Sequence, residues 1–189
     1  MEYGYLIDTS CGLATQPYPG GSSARAFASN ALEEAILAEQ AGFEGLFLPG
    51  RHARGGAILP SPLTFLAAIS SVTQRIRLGT YVLVLPYYDP RKVAEESAML
   101  DLLSGGRMRL GLGQGGSWES DILESSGVDP AMRTQRFIAG VNAIREFWNG
   151  KEVTASGGGL DYQSATIYPQ PLQNKCPIWI GALADEAIM

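Results

Sequence analysis

The hydrophobic and polar positions of this chain follow two periods, one typical of buried strands and one typical of helices. The segment from Arg75 to Gly116 contains both. Ile76 to Leu85 is apolar or β-branched at most positions, which predicts a strand buried on both faces. Met108 to Leu112 predicts a second buried strand, and between them lies an apolar helical stripe of Val93, Met99, Leu100 and Leu103. This order predicts a parallel βαβ unit.

The ends of this unit are marked by residues that start and stop helices. Asp89-Pro90 predicts a helix start, because Asp caps free N–H groups and Pro tolerates the first helical position. Ser104-Gly105-Gly106 predicts the helix end, since glycine accepts positive φ. Chemistry in parallel α/β folds sits at the carboxyl ends of the strands. Those ends are Pro86 to Tyr88 and Gly113 to Gly116.

The same alternation extends through the chain before this unit. Strands are predicted at Tyr3–Ile7 and Gly45–Leu48. Cys11 to Ser29 is rich in Gly, Ser and Pro and predicts a long loop. Asn30 and Glu33 resemble a capping box that opens a helix with Leu32, Ala35 and Ile36 on its face, ended by Gly42. Ser61-Pro62 opens a helix that runs to about Thr73.

Beyond the central unit, Asp129-Pro130 predicts a further helix that ends at Asn149-Gly150, with an apolar stripe of Phe137, Val141, Ile144 and Trp148. Val153 to Ile167 predicts a β-hairpin turning at Gly157 to Gly159. Pro169 to Pro177 reads as an extended connector before a last strand at Ile178–Ile180, after which another helix begins.

Five strands alternating with helices predict a single α/β domain over residues 1–189. The pattern fits either an open doubly wound sheet or part of a (β/α)₈ barrel. The chain has 189 residues, fewer than the roughly 250 of a complete barrel. An unclosed barrel leaves unpaired strand edges, which favour association into homo-oligomers.

Composition narrows the function classes. The formal net charge of −5, with scattered Lys and Arg, argues against nucleic-acid binding. The amino terminus lacks the basic and apolar regions of a signal peptide, and no long apolar run predicts a membrane span. Cys11 and Cys176 are far apart, which predicts reduced thiols and a cytoplasmic location. His52 is the single histidine, so no metal site is predicted.

The motifs resemble those of the luciferase-like flavin monooxygenase family. The matching segments are AGFEGLFLPGRH, the run PSPLTFLAAISSVTQRIRLGTYVLVLPYYDPRKVAEESAMLDLLSGGRMRLGLGQG, GVDPAMRTQRF with FWNG, and YPQPLQNKCPIWIGALA. The resemblance implies a (β/α)₈ TIM-barrel fold, truncated here after about the fifth strand. It also implies a site at the carboxyl ends of the strands for reduced FMN or, in one branch, the deazaflavin F420.

The resemblance assigns roles to the first two site segments. The family often carries Glu-His-His where this chain has Gly50-Arg51-His52, so His52 is the candidate for acid–base chemistry. The alternative is a loop histidine that holds backbone geometry. At Thr80, Tyr81 and Val82 the resemblance implies a flavin bed with a cis Tyr81–Val82 peptide, whereas the sequence alone indicates a buried core strand.

The third segment is Gly113-Gln114-Gly115 in the run GLGQGG, whose spacing differs from the dinucleotide-binding G-x-G-x-x-G. The resemblance implies that it faces the cofactor, and several family members carry a phosphate-binding Arg where Gln114 stands. The alternative is a tight turn that requires glycine. Trp118, Glu119 and Asp121 follow, either as pocket residues or as a solvated loop. Gly181-Ala182-Leu183 matches a phosphate-binding position of the family.

The resemblance implies a bacterial flavin-dependent monooxygenase that uses reduced FMN and dioxygen on a small organic substrate. It also implies a separate flavin reductase that supplies the reduced FMN. Two alternatives stay open. The first is an F420-dependent oxidoreductase that transfers hydride. The second is a truncated relative that binds flavin without catalysis or is inactive, which the missing strands, Arg51 and Gln114 favour.

Overall fold

The computed structural model describes residues 3–9, 21–52 and 59–181, and its elements alternate as the pattern predicts. The strands are β1 (Gly4–Leu6), β2 (Gly45–Leu48), β3 (Arg77–Thr80), β4 (Leu83–Val84), β5 (Met108–Gly113), β6 (Val153–Gly157), β7 (Leu160–Ala165) and β8 (Ile178–Gly181). The helices are α1 (Gly21–Gln40), α2 (Pro62–Val72), α3 (Pro90–Leu103), α4 (Ser120–Ser125) and α5 (Arg133–Trp148). Short 3₁₀ turns lie at Leu85–Tyr87, Ser117–Glu119 and Pro130–Met132.

The main sheet is parallel, and its strands follow one another in chain order. β1 pairs with β2 and β2 with β3. β5 pairs with β3 and β4 on one side and with β8 on the other. A doubly wound sheet reverses its strand order at a switch point, whereas a barrel adds each strand to the same edge. The observed order is therefore that of a barrel built as far as its fifth strand, and it decides between the two predicted architectures.

The core lies between the outer face of the sheet and the helices, where Leu46, Leu78 and Leu110 are fully buried. On the inner face the ring of Phe47 lies over glycine backbone. A Cβ at Gly79 would sit 2.9 Å from that ring, so the inner face has room for Phe47 only because its neighbours lack side chains. Packing of this kind fixes the register of neighbouring strands.

The predicted ends of α3 are confirmed. The Asp89 side chain accepts a hydrogen bond from the Arg91 backbone N–H at 2.9 Å, and Gly105 and Gly106 have positive φ. The predicted apolar stripe is only half right. Val93 and Leu100 are buried, whereas Met99 and Leu103 are 44% and 60% exposed, because α3 turns small residues such as Ala94 and Ala98 toward the core instead.

The first helix corrects the prediction of a loop to Ser29, because α1 already begins at Gly21. Asn30 is therefore inside the helix, and the predicted capping box is wrong. Ala31, Ala35 and Ala38 form the buried face, and Phe27 extends it toward the amino end by packing against the core. The high helix propensity of alanine outweighs the Gly and Ser of this segment. Residues 11–20 lie outside the described residues.

The remaining elements also follow the sequence with local differences. α2 starts at Pro62 and ends at Val72. The helix predicted from Asp129-Pro130 begins as a 3₁₀ turn before α5. β6 and β7 form the predicted antiparallel hairpin. The predicted helix after β8 falls outside the described residues. None of the helices in the described ranges is long and apolar enough to cross a membrane.

Candidate active site

A cavity of about 410 Å³ opens at the carboxyl ends of the parallel strands. Its described lining comes from the segments that follow β2, β3, β5 and β8: Pro49, Gly50, Arg51, Tyr81, Val82, Val84, Gly113, Gln114, Gly115, Gly116, Trp118, Glu119 and Gly181. Small-molecule sites in proteins commonly have volumes of about 300–1,000 Å³. The position is the one at which parallel α/β barrels place their chemistry.

The floor of the cavity forms where β3 and β5 separate. The strand predicted from Ile76 to Leu85 is interrupted at Tyr81–Val82, whose peptide bond is cis as the resemblance implies. Gly79 in β3 pairs with Arg109 in β5, and Leu83 in β4 pairs with Leu112 in β5. The segment from β3 to β4 therefore carries one residue more than the stretch of β5 that it faces. Such a bulge moves local backbone out of the ladder. Tyr81 and Val82 line the cavity at this bulge.

Thr80 closes the gap that this bulge leaves in the sheet. Its hydroxyl donates to the Gly111 carbonyl at 2.6 Å and accepts from the Gly111 N–H at 3.0 Å. A Cβ at Gly111 would lie 2.0 Å from the Thr80 carbonyl oxygen, so only glycine permits this approach. Thr80 is buried and is not among the described lining residues, whereas Tyr81 and Val82, predicted with it to contact the cofactor, do line the cavity.

The glycine run after β5 brings backbone into the cavity wall. Gly115 has a φ of +76°, and a Cβ there would sit 2.5 Å from the Glu119 Oε2. A Cβ at Gly113 would lie 2.6 Å from the Val82 Cγ2. The turn therefore requires glycine, and the same residues line the cavity. Both predicted roles, tight turn and ligand-facing backbone, are compatible with this arrangement.

Gln114 lies on the cavity wall, and its side chain is held by α5. The Thr134 hydroxyl donates to its Oε1 at 3.0 Å. Because Oε1 accepts this bond, the N–H₂ group is the part of the Gln114 amide that remains to donate hydrogen bonds. A neutral amide donates hydrogen bonds but cannot form a bidentate ionic contact with a phosphate.

His52 borders the cavity rather than lining it. Its Nε2 lies 2.5 Å from the Tyr88 hydroxyl, and its ring makes edge contacts with Tyr87 and Tyr88 at centroid distances of 5.5 and 5.4 Å. Burial lowers the pKa of His52, and the negative charge of Glu119 partly offsets this. Arg51, the sequence neighbour of His52, lines the cavity, so the segment that carries the imidazole borders it.

The sequence pattern does not assign a definite role to several of the lining residues. Arg51 is the only cationic side chain among the described lining residues, and Glu119 is the only anionic one. Trp118 lines the cavity, and its loop forms a 3₁₀ turn and α4 rather than an irregular segment. Asp121 lies on α4 and is not part of the lining. Their common signal is position, since each lining residue lies at or shortly after the carboxyl end of a strand.

These residues fit the ring portion of a flavin better than its phosphate. Tyr81 and Trp118 are 61% and 63% exposed although both line the cavity, so their faces are available to a flat apolar ligand. Among the described lining residues from Gly113 to Glu119, none carries a positive charge. Across the described ranges, no group of three or more His, Cys, Asp or Glu is placed to hold a metal ion.

Comparison with known proteins gives this site a context. The profile of the family described as luciferase-like monooxygenase matches residues 1–189. The chain is 36% identical over 173 residues to an F420-dependent glucose-6-phosphate dehydrogenase of Beutenbergia cavernae, covering 88% of this chain and 51% of that protein. It is 32% identical over 153 residues to the oxygenase component of a flavin-dependent trigonelline monooxygenase of Acinetobacter baylyi, covering 80% and 42%.

Solved structures give the same result for the fold. A monooxygenase from Streptomyces bottropensis superimposes with a TM-score of 0.84 at 28% identity, covering 95% of this chain and 53% of that one. An F420-dependent secondary alcohol dehydrogenase superimposes with a TM-score of 0.74 at 21% identity, covering 95% and 51%, which is a likeness of fold. The chain thus spans about half the length of the proteins it matches.

Proposed function

We propose, on the premise that this chain belongs to the luciferase-like monooxygenase family, that it forms the cofactor-binding part of a flavin-dependent monooxygenase. The reaction is oxidation of a small organic substrate by reduced FMN and dioxygen. One observation carries the proposal: the backbone at Tyr81–Val82 and the glycine run from Gly113 to Gly115 meet in one cavity at the carboxyl ends of the strands.

Each lining segment has a proposed task. Tyr81 and Val82 support the flavin ring, and Gly113 and Gly115 let backbone approach it closely. Gln114 donates a hydrogen bond in place of an ionic contact. When bound, reduced flavin supplies the electrons that activate dioxygen, and the protein supplies orientation and a dry site.

His52 is the proposed acid–base group. Because burial lowers its pKa, with Glu119 opposing, the imidazole is neutral near pH 7 and can accept a proton. The negative charge of Glu119, which raises the pKa of His52, then stabilises the imidazolium that results. Trp118, on the same wall as Glu119, limits the access of water to the cavity.

A second candidate function is hydride transfer with F420. It is supported by the 36% identity to an F420-dependent glucose-6-phosphate dehydrogenase, which exceeds the 32% identity to the flavin-dependent oxygenase component. The cavity does not distinguish the two cofactors, because both carry a flat tricyclic ring and the lining is mostly backbone and aromatic surface.

A third candidate is a relative that binds flavin without turnover or does not bind it. Its support is the neutral Gln114, which stands where the resemblance implies a phosphate-binding arginine. The outer strands β1 and β8 leave apolar side chains exposed, among them Leu6 and Trp179. We propose that these barrel edges associate with a second copy, which light scattering over a range of protein concentrations tests.

The wider setting is also a proposal. The oxygenase component among the relatives is by its name one part of a larger system, so we propose that a separate flavin reductase supplies reduced FMN. The relatives named above come from bacteria, and we propose a bacterial origin. A cytoplasmic location rests on the two distant cysteines.

Anaerobic titration with reduced FMN and with reduced F420 tests the proposal, followed by the rate of oxygen uptake relative to free FMN. Tight binding of reduced FMN with altered oxygen uptake supports the monooxygenase. Binding of F420 alone, without oxygen uptake, contradicts it in favour of hydride transfer. Binding of neither cofactor contradicts both and supports the non-catalytic relative.

A further inference from the structure

The His52 imidazole is held by a tyrosine from a different loop. His52 follows β2 and Tyr88 follows β4, yet the His52 Nε2 and the Tyr88 hydroxyl are 2.5 Å apart. Tyr87 and Tyr88 contact the imidazole at its edge, so the ring is enclosed on two sides. A short bond between half-buried side chains restricts both the position of the imidazole and the location of its proton.

Tyr88 is the more firmly anchored member of the pair. Its backbone N–H donates to the Leu85 carbonyl at 2.9 Å, and its carbonyl accepts from Arg136 at 3.4 Å. Its ring packs against the hydrophobic core. The hydroxyl therefore has a fixed position, and His52 orients itself to it.

The charge states of the two groups limit how the bond can form, and the absence of another acceptor for the Tyr88 hydroxyl among the described residues selects its direction. Burial raises the pKa of Tyr88 to about 12, helped by the negative charge of Glu96, so the phenol keeps its proton near pH 7. Burial lowers the pKa of His52 and Glu119 raises it, with a net lowering that favours neutral imidazole. One of two neutral partners must donate, and among the described residues the Tyr88 hydroxyl has no other acceptor.

We propose that Tyr88 is a positioning residue that donates to the Nε2 of His52 and thereby fixes the imidazole in the tautomer with its proton on Nδ1. The Nδ1–H is then the donor that His52 presents on the side of its ring away from Tyr88. The use of this N–H toward flavin or substrate rests on the proposed function. The tautomer itself does not, because the hydrogen bond exists in the protein alone.

The test uses nitrogen NMR, since His52 is the single histidine and its two ring nitrogens can be assigned without ambiguity. In wild-type protein at pH 8, long-range ¹H–¹⁵N spectra are expected to show Nδ1 protonated and Nε2 unprotonated in nearly all molecules. In Y88F the preference is expected to be lost, with Nε2–H becoming a major form. Y5F is the matched control, because it also removes a hydroxyl that donates to a side chain, Glu34.

Three outcomes overturn the proposal: a predominantly Nε2–H wild type, an unchanged tautomer in Y88F, or an equal change in Y5F. The wild-type measurement remains decisive if Y88F does not fold. The tautomer is measured without flavin, so a protein that does not bind flavin would contradict the proposed function but not the tautomer. If FMN-dependent turnover is observed, Y88F is expected to lower kcat roughly tenfold or more while KM stays within about twofold.

Discussion

Replacement of Thr80 by Val removes the hydroxyl that joins β3 to β5 beneath the cavity while keeping the shape of the side chain. Thr80 is 1% exposed, and its hydroxyl is both donor to the Gly111 carbonyl and acceptor from the Gly111 N–H. Valine satisfies neither group. T80V therefore leaves one N–H and one C=O of Gly111 without these partners in a buried strand.

The expected loss is large enough to measure. An unsatisfied buried polar group costs about 1–3 kcal/mol, so two such groups place the effect of T80V at about 2–6 kcal/mol in the free energy of unfolding. T80S is the matched control. It keeps both hydrogen bonds and loses one methyl group, which costs about 1 kcal/mol.

Urea denaturation followed by circular dichroism measures both variants, and equal m-values allow the comparison. T80V is expected to be about 1–5 kcal/mol less stable than T80S. It is also expected to bind reduced FMN more weakly, because Thr80 directly precedes the backbone that supports the ring. T80V as stable as T80S, or more stable, would refute the view that this hydroxyl holds the two strands together.

Three further predictions concern other parts of the chain. Burial raises the pKa of Glu39, but hydrogen bonds from the backbone N–H groups of residues 74–76 outweigh this, and the pKa falls below its usual 4.5. E39Q should therefore lose stability at pH 7, and its deficit should shrink as the pH falls below 4.5 in urea titrations; a pH-independent deficit contradicts this. Arg107 donates to the carbonyls of Ser70, Thr73, Ile76 and Ser104. R107K should therefore lose about 2 kcal/mol of unfolding free energy in the same assay. An unchanged value contradicts the view that the Arg107 guanidinium holds these carbonyls together. G115A should weaken FMN binding in fluorescence titrations whereas G127A, at a similar positive φ with nothing near its Cβ, should not; equal affinities would argue against the cavity wall.

The sequence predicts those parts of the fold whose cause is local. Asp89-Pro90 starts α3 because capping depends on neighbouring residues. The order of strands and helices follows from periodicity. The start of α1 and the exposure of Met99 depend instead on which faces meet in three dimensions. Periodicity alone does not distinguish an apolar stripe that packs on the core from one that faces outward.

The features of the site likewise fall into those that the sequence predicts and those that it does not. Position after a strand is enough to bring Tyr81, Gly113 and Gln114 to one cavity. The family resemblance implies the cis Tyr81–Val82 peptide, but the break in the strand there is not predicted, because its residues are as apolar as those of an unbroken strand. The bonds of Thr80 to Gly111 and of His52 to Tyr88 join residues more than 30 positions apart, and no sequence pattern encodes them.

Backbone amide NMR during titration with FMN tests the central claim most directly, since it locates the cofactor on the chain. We predict that the largest shifts occur at Val82, Gly113 and Gly115, with little change at Glu39 and Arg107 at the opposite ends of the strands. Absence of shifts at high FMN concentration, or largest shifts in the groove between α2 and α3 lined by Leu63 and Met99, would contradict the account.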